Sequence, residues 1–380
     1  MIPLFKVRMS DRAPSDVAKV LRSGYIGEGP KVKEFEAQLE KLLAPKNKLF
    51  SRPVVVTNSA TSAEHLAYRL LKDSKDISAG DEVLATPLTC IATNFPILAN
   101  GLHIKWVDID PTTMNMDLDD LARKITPRTK AISIVHWGGY PLDLNRIDDI
   151  RQLAQEKIGV FPALIQDCAH ALGSTFHKEP LCRWGDFSTY SFQAIKHLTC
   201  GDGGALVSSY TAWNREAKLL RWYGINRDGP RTDFRCENDI PKWGYKFNMN
   251  DIAATIGLAN LPLLDDTLRT HRSNAWFYNN ELLDIPGVTL LKYKEGFDSA
   301  YWLYTIRVED RAGFMKMMKK KEVEVSRVHD RNDKHSCVDQ YRTLLPNLDA
   351  VCQDMICIPV GWWVTPKHRQ YIVNCIKGGW

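Results

Sequence analysis

The first part of the chain alternates between short apolar runs and amphipathic segments. PKVKEFEAQLEKLLAP (30–45) places Phe35, Leu39 and Leu42 or Leu43 on one face at helical spacing, with proline near both ends. This stretch is predicted to be an amphipathic helix. PVVVTNSATSAEHLAYRLL (53–71) then reads as a β-branched strand, a polar turn and a helix whose first turn is rich in serine and threonine. Such a junction is suited to an anion, because free backbone N–H groups and the positive helix end face the same point.

Further strand-like runs follow at regular intervals, separated by segments that could be helices or loops. They are DEVLATP (81–87), HIKWVDI (103–109), AISIVHW (131–137) and ALIQDCA (163–169). This alternation predicts an α/β domain built on a mostly parallel sheet.

The second half of the chain has a different pattern. YTAWNREAKLLRWYG (210–224) is helical, and the stretch from Tyr245 to Leu283 is predicted to be one long helix. From about Pro286, the strand-like YWLYTIRV (301–308) and two helical segments predict a smaller α+β domain. Because 380 residues exceed the usual size of one core, we expect a large α/β domain over 1–245, and a bridging helix with a small C-terminal α+β domain over 246–380.

Charge and cysteine content exclude several classes of protein. The 50 Lys and Arg residues and 45 Asp and Glu residues are interspersed, so no nucleic-acid partner is expected, whereas anionic small molecules remain possible. The N-terminus is charged and no apolar run approaches the ~20 residues that cross a bilayer, so we expect a soluble, cytoplasmic protein. The nine cysteines lack C-x-x-C spacing, which favours buried free thiols and no metal site.

Lys196 lies between an aromatic run and a glycine cluster, in SFQAIKHLTCGDGGALV (191–207). A buried lysine has a lowered pKa and can attack a carbonyl, so Lys196 is a candidate Schiff-base lysine. Taken alone, a lysine in such a stretch is more often a surface residue at a strand end. Asp167 ends an apolar strand and could pair with a pyridinium nitrogen, or cap the next helix. Together with the phosphate cup in TNSATSAEHL, these groups are the contacts that pyridoxal 5′-phosphate needs.

The chain resembles the DegT/DnrJ/EryC1/StrS sugar aminotransferases, which are pyridoxal phosphate (PLP) enzymes of fold type I, the aspartate aminotransferase-like architecture. Eight blocks in the family's order support the resemblance: SGYIGEGPKVKEFEAQL (23–39), TNSATSAEHLA (57–67), GDEVLATPLTCIATNFPIL (80–98), VDIDPTTMNMD (107–117), HWGGYPLDL (136–144), QDCAHALGS (166–174), SFQAIKHLTCGDGGAL (191–206) and FNMNDIAATIGLANL (247–261).

The resemblance implies a role for each matching residue. Lys196 would bind the cofactor covalently, Asp167 would pair with the pyridinium, and His170 would lie near the ring and its phenolic oxygen. The positions that match phosphate-binding residues are Ser59, Ala60, Thr61 and Ser191, together with Asn248, which a neighbouring subunit would contribute. An active site shared in this way implies a homodimer.

Three positions depart from the family pattern. Cys90 stands where an aromatic ring usually stacks on the cofactor face, so we expect weaker cofactor retention or another covering side chain. Gln166 and Asp202 each replace a common glutamate. Neither of these two changes touches the three essential contacts.

The resemblance implies transamination from L-glutamate to a nucleotide-linked 4-keto-6-deoxyhexose, as in enzymes that make perosamine or viosamine. The presence of Lys196 disfavours the family's dehydratase branch, which has histidine at that position. Amination at C3, a keto-cyclitol substrate and a non-catalytic regulatory or binding protein remain alternatives. Cations are needed to bind the substrate diphosphate, and the candidate substrate-binding residues are Arg221, His329, Arg331 and Lys334.

Overall fold

The structure, a computed structural model, describes residues 1–43, 52–74, 77–229 and 239–380. In this part of the chain the helices are α1 Ala13–Ser23, α2 Pro30–Leu42, α3 Ala60–Asp73, α4 Ile91–Ala99, α5 Leu118–Lys124, α6 Leu144–Ile158, α7 Thr211–Leu220, α8 Asp251–Asn260, α9 Leu264–Glu281, α10 Arg311–Lys320, α11 Pro346–Asp354 and α12 Pro366–Lys377. The strands are β1 Val54–Thr57, β2 Glu82–Ala85, β3 His103–Trp106, β4 Thr129–Val135, β5 Ala163–Asp167, β6 Thr175–Phe176, β7 Glu179–Pro180, β8 Phe187–Ser191, β9 Gly204–Ser208, β10 Val288–Leu290, β11 Phe297–Asp298, β12 Tyr304–Val308 and β13 Met355–Ile358.

The first amphipathic helix is confirmed as α2, which buries Val32, Phe35 and Leu39 on one face. Pro45, at the end of the predicted segment, lies outside the described residues. Proline stands at the first position of α2, where its missing N–H costs no hydrogen bond.

A seven-stranded mixed sheet forms the large lobe, in the order β1-β9-β8-β5-β4-β2-β3. Strands β3, β2, β4, β5 and β8 run parallel to one another, and β9 is antiparallel to both β8 and β1. The mostly parallel sheet predicted from the strand-like runs is therefore confirmed. Alternate residues of each central strand enter two separate apolar clusters, which is why these strands are apolar on both faces.

A second, antiparallel sheet of three strands, β10-β12-β13, carries the smaller core near the C-terminus. Phe314 on α10 and Ile372 on α12 pack into this core, and so does Ile2 from the N-terminus. The core of the large lobe includes Leu264 and Leu268, whereas Ala275, later in α9, packs in the smaller core. The division predicted at residues 245 and 246 stays a prediction.

The single long helix predicted from Tyr245 to Leu283 is wrong. The chain forms α8 and α9, separated by a 3₁₀ turn at Leu261–Leu263 that contains Pro262. Proline has no N–H to donate to the preceding turn, and its ring clashes with the carbonyl four residues earlier. The apolar periodicity continues through the break, which is why the pattern alone favoured one helix.

The cysteines of the described chain form no disulfide, as expected. Five of them are buried and Cys337 is exposed, while Cys236 lies outside the described residues. No helix among the described residues is long and apolar enough to cross a membrane.

Candidate active site

The site forms where neighbouring strands of the large sheet end. Asp167 is the last residue of β5 and Ser191 the last of β8, and the two strands are parallel neighbours with Asp167 opposite Thr189. Parallel strands bring their carboxyl ends to one edge of the sheet, which is where ligands bind in open α/β folds. The loop after β8 then returns Lys196 to the same edge.

The Lys196 amine lies over the indole of Trp302, with Nζ 3.5 Å from the ring centroid. The indole Nε1 donates to the Ile195 carbonyl at 3.0 Å, and this hydrogen bond connects Trp302 to the loop that carries Lys196. Removal of the amine from water lowers the pKa of Lys196 to about 8, although the negative charge of Asp167 opposes the shift. In a fraction of the molecules, the Lys196 amine is therefore uncharged and nucleophilic near neutral pH.

The Asp167 carboxylate is buried and fixed by two donors. Thr93 donates its hydroxyl to Oδ2 at 2.6 Å, and the backbone N–H of Ala169 donates to Oδ1 at 2.8 Å. Thr93 is itself in contact with the Thr89 hydroxyl at 2.8 Å. The orientation of the carboxylate is thus set by the first turn of α4 and by the turn that follows β5.

The N-terminus of α3 faces the same edge. Ser59 caps the helix by accepting from the Ser62 N–H at 3.1 Å. A Cβ on Gly204 would lie 2.3 Å from the Ala60 nitrogen, so only glycine in β9 allows the helix start to approach the sheet this closely. This explains one glycine of the cluster that follows Lys196.

The residues predicted to bind phosphate lie on adjacent strands and turns. Gly204 pairs with Ser191 on one side and with Thr57 on the other, and Thr57 forms a β-bridge with Asn248. Thr61 is exposed and Ser191 is buried. The structure therefore brings Asn248 to this edge within one chain, and the contribution of Asn248 by a neighbouring subunit stays a prediction.

Two histidines lie beside the lysine. His170 stacks on Trp302 with centroids 3.9 Å apart, and its Nε2 is 3.3 Å from Nε2 of His329. Burial and the charge of Lys196 lower the pKa of both rings, that of His329 to about 4. Both imidazoles are therefore neutral at physiological pH. The buried Nδ1 of His170 has no hydrogen-bond partner within the described chain.

The other candidate cations are already paired with carboxylates. Arg221 is buried and binds Glu36 at 2.5 Å and Glu28 at 2.8 Å. Its guanidinium joins α2 to the end of α7, which is a structural contact, and a substrate role for Arg221 stays a prediction without support from its position.

Arg331 and Lys334 belong to the segment that follows His329. Arg331 forms a fork with Asp333 at 2.5 Å and an ion pair with Asp349, and Lys334 pairs with Asp330. Between them, Asn332 accepts a hydrogen bond from Asn94 at 2.8 Å and donates to the Thr89 carbonyl at 2.8 Å. The segment is therefore fastened to the loop that holds Cys90.

Two departures from the family pattern have clear positions. Cys90 is half-buried and lies just before α4, the helix whose Thr93 holds Asp167. Gln166 is buried and donates to the carbonyls of Leu181 and Trp184, so its side chain serves the packing behind the sheet.

A half-buried lysine, a fixed carboxylate and a helix N-terminus at the edge of a mixed α/β sheet are the groups that a phosphorylated carbonyl cofactor needs. The buried Nδ1 of His170 has no partner in the described chain, which fits a site that receives a polar ligand. The residues present therefore fit a pyridoxal phosphate cofactor.

Comparison with known proteins identifies the family. Residues 8–377 match the DegT/DnrJ/EryC1/StrS aminotransferase family, and the chain belongs to it. The fold is PLP fold type I, as expected from the resemblance.

Two solved structures superpose on the whole chain. One is AtS13 from Actinomadura melliaura, 46% identical with a TM-score of 0.94, covering 100% of this chain and 99% of the other. The second is the sugar aminotransferase CalS13 from Micromonospora echinospora, 44% identical with a TM-score of 0.93, covering 100% of both chains. The PLP form of Spr1654 from Streptococcus pneumoniae is 26% identical with a TM-score of 0.88, covering 99% and 98%.

One curated relative carries a named activity. The dTDP-4-dehydro-2,3,6-trideoxy-D-glucose 4-aminotransferase of Saccharopolyspora spinosa is 31% identical, over 81% of this chain and 78% of its own length.

The sequence did not reveal several residues of the site. Trp302 appeared only as part of a strand, and Thr93 only as part of a family block. Glu64, which is buried beside Asp167, was also missed. Its signal in the sequence is an acidic residue among the apolar Ala63, Leu66 and Ala67 of α3.

Proposed function

We propose that this aminotransferase uses pyridoxal 5′-phosphate to move an amino group from L-glutamate to a nucleotide-linked 4-keto-6-deoxyhexose, giving a 4-amino-4,6-dideoxyhexose nucleotide. The observation that carries the proposal is the Lys196 amine, desolvated over Trp302 and close enough to Asp167 for the carboxylate to raise its pKa.

The residues that would hold the cofactor are the ones gathered at the sheet edge. Lys196 would bind its aldehyde and Asp167 its ring nitrogen, and the α3 N-terminus with Ser191 would receive its phosphate. When bound, the cofactor supplies an electron sink for the carbon that loses a proton. His170 Nδ1 has no other partner in the described chain and would donate to, or accept from, the ring substituent.

Lys196 is suited to move the proton once its amine is free. A pKa of about 8 lies near neutral pH, so the same amine can accept a proton from one carbon and release it to another. Trp302 limits the positions of the amine and keeps water from one side of it. Thr93 and Ala169 fix the Asp167 carboxylate by donating to both of its oxygens.

The sugar would enter over His170 and His329, next to the segment 329–335. Neutral imidazoles can donate to sugar hydroxyls or accept from them without an ion's desolvation cost. Arg331 and Lys334 lie at the outer end of that segment, where they are proposed to face the substrate diphosphate. The named activity of the Saccharopolyspora spinosa relative supports C4 as the site of amination.

We propose a homodimer with shared active sites as the working form, in which Asn248 reaches the phosphate of the neighbouring subunit. Its place at the sheet edge beside Thr57 supports a role near the phosphate. A mixture of Lys196→Ala and Asn248→Ala proteins tests whether Asn248 is exchanged between subunits.

The test is the visible absorbance of the purified protein with added pyridoxal phosphate, then with L-glutamate. We expect the band of a lysine-bound cofactor, lost on addition of glutamate as the amine form appears. Lys196→Ala should not form the first band, and Lys316→Ala, at an exposed position on α10, should behave as the wild type.

Keto sugars added after glutamate would then identify the acceptor, because the right one restores the original band. A folded protein that gives no band with pyridoxal phosphate would refute the proposed activity. Restoration by a 3-keto sugar nucleotide or a keto-cyclitol, and not by a 4-keto sugar, would refute the proposed substrate.

A further inference from the structure

Glu64 is a buried acid on the inner face of α3. Only 1% of its surface is exposed, and Ala63, Leu66 and Ala67 around it on the helix are apolar and buried. An ionised carboxylate at such a place costs several kcal/mol unless a cation or several donors compensate it. The chain has placed a carboxyl group where packing alone favours an apolar side chain.

The Glu64 carboxyl faces the Asp167 carboxyl. The two groups are within hydrogen-bonding reach, and the Thr189 hydroxyl, which is 3.3 Å from Oε1 of Glu64, belongs to the residue paired with Asp167 across β5 and β8. Oε2 of Glu64 has no donor among the described residues. An acceptor without a donor, placed against a second carboxylate, is the arrangement that a shared proton resolves.

The groups around Glu64 do not compensate a second negative charge. Burial and then Asp167 raise the pKa of Glu64 well above its usual range, while the Thr189 hydroxyl lowers it and Cys90 raises it further. Tyr68 on α3 and Cys168 after β5 also face the pair, and both have raised pKa values, so they are neutral. The cation of the site, Lys196, acts on Asp167.

We propose that Glu64 is a positioning residue that stays protonated and donates its proton in a hydrogen bond to Asp167, so that Asp167 remains the anion that faces the cofactor nitrogen. The proposal deepens the proposed function and rests on it for the role toward the cofactor. With Glu64, Thr93 and Ala169 as donors, the Asp167 carboxylate is held in one orientation toward the cofactor nitrogen.

The first experiment uses the apo protein and infrared spectroscopy. At pH 7 we expect the carbonyl stretch of a protonated carboxyl group, lost in Glu64→Gln and unchanged in the control Glu34→Gln, whose carboxylate is exposed and paired with Lys31. A wild type without this band at pH 7, or a band that survives in Glu64→Gln, would overturn the proposal.

The second experiment uses the protein loaded with pyridoxal phosphate. Glu64→Gln keeps a neutral donor, so cofactor affinity at pH 7 should stay within about twofold of the wild type, whereas Glu64→Leu should lose about tenfold or more. The wild type should also show an alkaline change in cofactor absorbance, separate from the titration of the imine with Lys196, that Glu64→Gln lacks because glutamine cannot ionise.

Equal losses in Glu64→Gln and Glu64→Leu, or this separate alkaline change retained in Glu64→Gln, would overturn the role toward Asp167. An infrared band without any cofactor binding would refute the proposed function instead, and leave the shared proton in place.

Discussion

Replacement of Lys196 by methionine should stabilise the apo protein at neutral pH, because the folded state holds this cation against its preference for water. The pKa of Lys196 falls from 10.5 to about 8, a difference of about 2.5 units. At about 1.36 kcal/mol per unit, this corresponds to a cost of about 3.4 kcal/mol. The contact with the Trp302 ring returns about 1 kcal/mol, and partial access of water to the residue reduces the cost further. We therefore expect a net gain of about 2 kcal/mol for Lys196→Met at pH 7.

The stability difference between Lys196→Met and the wild type depends on pH, because the pKa of Lys196 is lower in the folded state. Below pH 8 the lysine is charged in both the folded and the unfolded state, so the whole cost is present. Between pH 8 and 10.5 the folded protein loses the proton first, and the cost disappears. The stability advantage of Lys196→Met should thus be largest at pH 7 and small at pH 10.

The assay is urea unfolding of the apo proteins, followed by tryptophan fluorescence at both pH values. Lys316→Met, at an exposed position on α10, is the matched control and should show no such pH-dependent difference. A Lys196→Met protein less stable than the wild type at pH 7, or a difference that stays constant between pH 7 and pH 10, would refute the reasoning.

Two further predictions concern the substrate and the assembly. Arg331→Ala should raise KM for the nucleotide sugar far more than KM for L-glutamate, and Asp349→Asn, which removes one partner of Arg331 but keeps the cation, should have a smaller effect; equal effects of Arg331→Ala on both substrates would contradict the assignment. Mixed Lys196→Ala and Asn248→Ala proteins should recover activity, up to about a quarter of the wild type, because half of the randomly mixed dimers carry one intact shared site. Activity that does not rise above that of the separate variants would exclude the exchange of Asn248.

Local patterns were sufficient to predict much of the fold. Short apolar runs identified β1 to β5 of the large sheet, and a 3.6-residue apolar stripe identified α2, because these patterns report which faces of an element are buried. The same rule failed at Pro262, where the apolar stripe continues across a break that the missing N–H of proline imposes.

The candidate site was predicted only in part. Lys196, Asp167 and the start of α3 have sequence signals, since each lies at the end of a strand or beside a polar turn. Arg221 has the same basic, aromatic-flanked context as a ligand-binding arginine, yet its charge is taken up by Glu28 and Glu36 from elements nearly two hundred residues away. An ion pair between residues so far apart in the chain leaves no pattern in the sequence around Arg221.

By itself, the sequence determined most of the segments that form strands and helices, the family to which the chain belongs and the lysine that is proposed to bind the cofactor. Only the tertiary structure decided that Trp302 covers the amine, that His170 and His329 meet at 3.3 Å and that Glu64 faces Asp167. The physical reason is that burial and a shift in pKa depend on every element packed around a group, and those elements come together only when the chain has folded.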